Sequence, residues 1–329
     1  MKYDFVAVGD VVTDEFIRIP EKSARIDNGK EARLSFTFGT KVPFEHAYEI
    51  YAVGNSANAA VAASRLGLSS ALVSNIGDDN EGEKIIARLK EERVGTDYVA
   101  INNGKLSNHH YVLWYNDDRT ILIKHEDYMY NLPALEPPRW MYVSSVGEGH
   151  ERLHDEIAEF VHQHNVKLVF QPGTYQLKLG IKALERVYKN TEFFVCNREE
   201  AELVLRVETR DVAELARGIH RAGPRIVAIT DGIHGSYASD GKTLWFLRNY
   251  PDPKPPFERT GAGDAFSSTF AAALALGYPV PDALRWGPIN SMSVVQYVGA
   301  QEGLLRRTQL EKYLKEAPSD YQPKAIARI

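Results

Sequence analysis

Glu258-Arg259-Thr260-Gly261-Ala262-Gly263-Asp264-Ala265-Phe266 sets two glycines around an alanine and follows them with an aspartate. It leads into a stretch reaching Leu276 that is almost free of charge. Gly277 and Pro279 close that stretch, which predicts a buried helix over 265–276 with a stop signal. A helix entered through Gly-Ala-Gly points free backbone N–H groups, and the positive end of its dipole, at whatever lies above its first turn. That is an anion site. A carboxylate there would repel a bound phosphate unless it had chemistry to perform. Asp264 is therefore a candidate general base beside a phosphate cradle. A buried helix with a glycine-rich entry loop is the plainer reading, and the segment by itself carries both equally.

Outward from this segment, 329 residues allow one large domain or two smaller ones. The composition, 44% hydrophobic and 25% charged, is that of an ordinary soluble protein. Net charge is −5, and no basic block exceeds Arg306-Arg307, which argues against nucleic acid or an anionic membrane as partner. The single cysteine, Cys196, excludes an internal disulfide framework and fits a reducing compartment. The first residues read as a strand with a charge at Asp4 rather than as a signal peptide, and no uncharged run reaches membrane-spanning length. A cytoplasmic location is expected.

Apolar strands at 5–9, 70–75, 140–145, 167–171, 193–196 and 225–230 alternate with helical patterns at 56–66, 81–92, 151–162, 179–188, 199–205, 212–221, 265–276, 281–297 and 308–316. Such alternation predicts a largely parallel sheet covered by helices on both faces. Residues 15–52 and 109–125 break the rhythm. The first lacks a good helix; the second reads as a hairpin of His110–Tyr115 and Thr120–Lys124 around Asn116-Asp117-Asp118. These β-rich insertions are read as one small sheet acting as a lid, in preference to two decorated edges.

Several motifs are decoys. His150-Glu151-Arg152-Leu153-His154 matches H-E-x-x-H, but it opens a helix after a strand-end loop, carries a cation inside the motif and lacks a third ligand. Gly77–Lys84 resembles a phosphate loop yet ends Gly82-Glu83-Lys84. Others remain open. Asn197 and Glu200 follow the strand at 193–196, where they suit a helix capping box first and, compatibly with it, an outer-sphere Mg2+ site. Thr230-Asp231-Gly232-Ile233-His234-Gly235 ends another strand as a turn or as a close backbone approach to a ligand. Asp14, with Gly54, Asn55 and Asn58 at the start of a helix, offers the acceptor and donor mixture that suits a polyhydroxyl ligand.

Taken together, these pieces resemble the ribokinase (PfkB) family of carbohydrate kinases. Thr260–Phe266 is similar to its C-terminal signature and Gly54–Gly67 to its N-terminal one. Asn197-x-x-Glu200 and Thr230-x-Gly232-x-x-Gly235 follow in the family's order. The resemblance implies a ribokinase-like three-layer α/β fold, with a mostly parallel central sheet flanked by helices and a small β-sheet lid. It divides the chain into a core of 1–14, 53–108 and 126–329 and lid insertions at 15–52 and 109–125. It further implies transfer of a phosphoryl group from ATP, with Mg2+, to a hydroxyl of a small sugar. A nucleoside kinase of the same family and a non-catalytic sugar-binding paralogue are the alternatives. Asp264 would be the base and Gly261, Ala262 and Gly263 the anion hole. Asn197 and Glu200 would hold Mg2+ through water. Thr230, Gly232, Gly235 and Asn290 would line the nucleotide, and Asp14, Gly54, Asn55 and Asn58 the acceptor. A homodimer joined through the lid is the candidate assembly. Three departures stand out: Glu258-Arg259-Thr260 where the family often has Asp-Thr-Thr, which leaves its monovalent-cation site open; Val53 for a glycine; and Asn55 where ribokinases carry lysine.

Overall fold

The runs Phe5-Val6-Ala7-Val8 and Trp140-Met141-Tyr142-Val143 are apolar at every position, as strands covered on both faces must be. The computed structural model describes residues 2–29, 32–116 and 118–329. Its strands are β1 Phe5–Val8, β2 Val12–Arg18, β3 Arg25–Asn28, β4 Ala32–Ser35, β5 Ala47–Val53, β6 Ser70–Gly77, β7 Val94–Asn102, β8 His109–Tyr115, β9 Asp118–Lys124, β10 Trp140–Val143, β11 Lys167–Phe170, β12 Thr191–Asn197, β13 Ile226–Thr230, β14 Ser236–Ser239, β15 Thr243–Leu247 and β16 Lys324–Arg328. Its helices are α1 Asn55–Arg65, α2 Asn80–Glu91, α3 Glu151–His164, α4 Thr174–Ala183, α5 Glu185–Asn190, α6 Arg198–Leu205, α7 Val212–Ala222, α8 Ala262–Ala275, α9 Val280–Val294 and α10 Arg307–Lys315.

The large sheet has the order β16-β15-β14-β13-β12-β11-β10-β1-β6-β7. From β13 to β7 all neighbours run parallel, and β14, β15 and β16 add an antiparallel edge. Alternation along the strands sorts the core into two layers. Phe5, Ala7, Tyr142 and Phe193 face α1, α8 and α9, whereas Val6, Val8, Met141 and Phe194 face α3, α6 and α7. The chain leaves β1 for β6 on one side and returns to β10 on the other, which opens a crevice at the carboxyl ends of the strands. Asp10, Gln171, Asn197 and Thr230 all lie at that edge.

A second sheet, ordered β5-β2-β8-β9, is built from the two insertions, and β3 pairs with β4 in a separate ribbon. Val112 and Trp114 are buried while Tyr111 is exposed, so the Val112 side of β8 faces inward. The Trp114 ring meets Phe257 edge-on at 5.1 Å, which ties this sheet to the loop before α8.

The charge-free stretch forms α8, buried from Ala265 to Ala275, and Gly277 at φ 92° ends it as its sequence predicts. The helix begins three residues earlier than expected, at Ala262, which puts Asp264 in its first turn. The pattern at 179–188 is not one helix: Gly180, at φ 74° and ψ 178°, breaks α4, and α5 follows separately. Strands β7, β14, β15 and β16 were not anticipated. β7 alternates half-exposed residues and β16 is mostly exposed, so neither shows an apolar run. Asp117 of the expected 116–118 turn lies outside the described residues.

Phe270 of α8 stacks on Phe193 of β12 at 4.6 Å and 19° and is fully buried. Phe270→Ala should therefore cost about 3–5 kcal/mol, read from urea unfolding. A loss under about 1 kcal/mol would mean that α8 is not clamped to the sheet there.

Candidate active site

Asp264 stands at the centre of the crevice because α8 starts there and α1 packs beside it. Its Oδ1 accepts hydrogen bonds from Asn55 Nδ2 at 3.0 Å and Gln171 Nε2 at 3.1 Å, and its Oδ2 from Asn58 Nδ2 at 2.9 Å. Asn55 and Asn58 sit one turn apart at the start of α1, which Gly54 caps at φ 108°. A Cβ on Gly54 would lie 2.9 Å from the carbonyl of Asp10, so this residue is glycine by close packing. Gln171 is held in turn by Tyr142, whose hydroxyl donates to its Oε1. Burial pushes the Asp264 carboxyl above the usual aspartate range, while the Asn58 and Gln171 hydrogen bonds pull it back.

The loop before α8 is braced from below. Glu258 is 1% exposed, and its Oε1 accepts from the Thr260 backbone N–H at 2.7 Å and hydroxyl at 2.6 Å. Its carboxylate thus serves the backbone that precedes the cradle. Gly261 has φ 81°, and a Cβ there would lie 2.4 Å from Ala300. A Cβ on Gly263 would meet nothing within 4 Å, which leaves the first turn of α8 open to the crevice. Helix N–H groups at this end have no partner within the helix and point into that space.

Two cavities meet over this turn. One, of about 590 Å³, is lined by Asp14, Asn55, Asn58, His110, Arg119 and Gln171 on one side and by Asn197 and Glu200 on the other. The second, of about 330 Å³, runs past Gly235, Tyr250, Phe266, Ser291 and Met292. Thr230, Gly232, Arg259, Ala262 and Gly263 line both. Thr230 ends β13, and Gly232 and Gly235 adopt φ 53° and 104°. At Gly235 a Cβ would meet the Leu247 carbonyl at 2.6 Å.

Asn197 and Glu200 form the capping box of α6, each side chain accepting from the other's backbone N–H at 2.8 Å. Both nevertheless face the larger cavity. Burial pushes the Glu200 carboxyl up, the Asn197 N–H opposes this, and the charge of Asp264 adds to it. Oε2 of Glu200 takes the cap bond, which leaves Oε1 for a hard cation that retains its waters. No group of three or more His, Cys, Asp or Glu that could hold a metal occurs among the described residues.

Asn290 is a correction. It is fully buried, donates to Thr269 Oγ1 at 2.7 Å and accepts from the Leu305 N–H at 2.8 Å. One residue along α9 turns the side chain by about 100°, so Ser291 reaches the cavity and Asn290 does not. His154 of the H-E-x-x-H motif is buried with its Nδ1 on the His150 carbonyl at 3.0 Å, as a structural histidine. Gln171 and Gln301 went unread in the sequence. Gln171 follows the carboxyl end of a parallel strand, a signal that could have found it. Gln301, which donates to Asn58 Oδ1 at 3.0 Å, comes from an irregular loop and carries no such signal.

Residues 23–307 match the family model of the pfkB family carbohydrate kinases, and the chain belongs to that family. It is 30% identical over 269 residues to the ribokinase of Bacillus subtilis (strain 168), covering 79% of this chain and 87% of that one. Among solved structures it is similar to the nucleoside kinase of Methanocaldococcus jannaschii, with a TM-score of 0.77 and 17% identity over 96% of this chain and 99% of that one. It also resembles a candidate ribokinase II from E. coli in complex with ATP and Mg2+, with a TM-score of 0.76 and 18% identity over 95% and 99%. Both neighbours have the ribokinase-like α/β fold seen here. The protein is a carbohydrate kinase of that family. No described helix is long and apolar enough to cross a membrane.

Two glycines on either side of Ala262 should respond unequally to substitution. Gly261→Ala is strained by both its φ and the Ala300 contact and should lower the thermal midpoint by several degrees, for a cost of about 1–3 kcal/mol. Gly263→Ala should hold its stability within about 0.5 kcal/mol. Equal losses in the two variants would contradict the open first turn.

Proposed function

We propose that the protein transfers the terminal phosphoryl group of ATP to a hydroxyl of a small sugar, with Asp264 as general base. What carries this reading is the meeting of the two cavities over the first turn of α8, with Asp264 on the polar side of the junction. The acceptor hydroxyl would sit against Asp264, within reach of Asn55, Asn58 and Asp14. Its proton passes to the carboxylate as the oxygen attacks the phosphorus, and ADP departs along the second cavity. The N–H groups of Gly261, Ala262 and Gly263 meet the charge that builds on the phosphoryl oxygens. Thr230, Gly232 and Gly235 bring backbone close to the nucleotide, with Ser291 and Met292 in place of Asn290. Mg2+, when bound, would neutralise phosphate charge, and Glu200 Oε1 and Asn197 would hold its waters. The sheet β5-β2-β8-β9 would act as the lid that keeps water from the reaction.

A sugar is favoured over a nucleoside because no Phe, Tyr or Trp ring lines the larger cavity among the described residues, and the His110 imidazole that does is engaged by Asp14 and His125. The second reading rests on Ile121 and Ile123, which line the same cavity and offer an apolar face instead. An ADP-release screen over sugars, sugar acids and nucleosides separates the two. Turnover confined to nucleosides would overturn the preference.

Asp264→Asn should lower kcat by roughly 10³-fold or more, while ATP binding measured by calorimetry stays near wild type. Near-normal turnover would remove Asp264 from the base role. The pH dependence has a definite sign. The base form is lost as pH falls through a carboxyl value raised by burial, so kcat/KM should fall on the acid side at higher pH than an ordinary aspartate gives. Asn58→Ala removes a hydrogen bond that favours the ionised form, so its acid limb should move to still higher pH. A limb that stayed in place would separate Asn58 from the base.

A further inference from the structure

Between the small sheet and the end of β1 runs a line of polar side chains that the reaction centre leaves unexplained. His110 on β8 sets its Nδ1 3.3 Å from Asp14 Oδ1. Its Nε2 lies 3.3 Å from the Nε2 of His125, the residue after β9. His125 Nδ1 is 3.2 Å from Asp10 Oδ2, and the other oxygen of Asp10 accepts from the Tyr130 hydroxyl. Asp10 and Asp14 are 4% and 9% exposed. Asp10 Oδ2 and Asp14 Oδ1 have no well-formed hydrogen bond among the described residues, so each meets its imidazole nitrogen as a close contact at ion-pair distance.

Counting hydrogens along this line fixes its state. A buried carboxylate oxygen without a donor is costly, and the imidazole Nδ1 is the donor group that stands beside each aspartate. Two lone pairs, or two N–H groups, cannot face each other across the Nε2 contact, so one hydrogen lies between them. Neighbouring charges are otherwise engaged or lie across the cleft. His109 turns to Glu15 and Glu81, Glu126 pairs with Lys124, and Arg119 and Asp264 line the cavity itself.

We infer that His110 and His125 are positioning residues for the acceptor: they hold the Asp14 carboxylate aimed into the cleft. The inference rests on the kinase reading above, in which Asp14 receives acceptor hydroxyls. Asp14 and His110 are register partners on β2 and β8, so the strand pairing itself sets their approach. His125 does not line the cleft and reaches Asp14 only through His110. Asp10, at the far end, follows β1 of the large sheet, so the line also fastens the small sheet to the large one.

Nitrogen-15 histidine NMR of the acceptor-free protein tests the line directly. Both rings should show a protonated Nδ1, with their Nε2 signals averaged between protonated and bare. Asp14→Asn should shift the His125 ring signals although the two residues do not touch. Ring signals of His125 indifferent to Asp14→Asn would overturn the inference. On the best sugar from the ADP-release screen, His125→Leu should raise acceptor KM roughly tenfold and hold kcat within about twofold. His125→Gln, able to bridge the same two partners, should recover most of that loss. An unchanged KM, or a loss that Gln does not recover, would also overturn it. The NMR measurement needs no acceptor, so a screen without turnover would count against the kinase reading alone.

Discussion

Three side-chain amides converging on one carboxylate organise this molecule. Asn55 and Asn58 come from α1, and Gln171 from the end of β11; all donate to Asp264 at the head of α8. Each amide is itself held or placed by something else. Gln301 donates to Asn58, Tyr142 donates to Gln171, and the close approach of Gly54 to Asp10 fixes where α1 begins. The result is a carboxylate whose position is set from three directions before any ligand arrives, which is what a base needs if reorganisation is not to slow proton transfer. Two opposing effects meet on it. Burial disfavours its charge and the amides favour it, and burial prevails.

That constraint depends on packing that lies well away from the chemistry. From Ala265 onward α8 is buried around its whole circumference because it is enclosed by the large sheet, α1 and α9. Polar side chains inside it find local partners: Ser267 and Ser268 donate back to the carbonyls of Gly263 and Asp264, and Thr269 meets Asn290. Glu258 performs a similar service for the entry loop, spending its carboxylate on Thr260. The first turn of α8 is thus the open end of an otherwise sealed helix, and both cavities abut it because nothing occupies the space above Gly263.

Much of this was legible in the sequence, for physical reasons that can be named. The parallel strands announce themselves because they are apolar on both faces, and the glycines at 54, 235 and 261 because backbone approaches them closely. The antiparallel edge was not legible: β16 is mostly exposed and gains its identity only from pairing with β15. Gly180 looked compatible with a continuing helix but adopts a conformation that ends one. Asn290 shows the limit of reading single positions, since one step along α9 decides between cavity and core. The His110–His125 line was out of reach, because its four members come from 10, 14, 110 and 125 and meet only when the second sheet forms.

The account turns on the ionisation of one side chain, and carbon-13 NMR of labelled aspartate carboxyls reports it without any assumption about substrate. The Asp264 resonance, assigned by its loss in an Asp264→Asn sample, should titrate above the range of the exposed aspartates in the ligand-free protein. Titration of Asp264 together with the exposed carboxyls would contradict the claim that burial, checked by the Asn58 and Gln171 amides, raises this carboxyl.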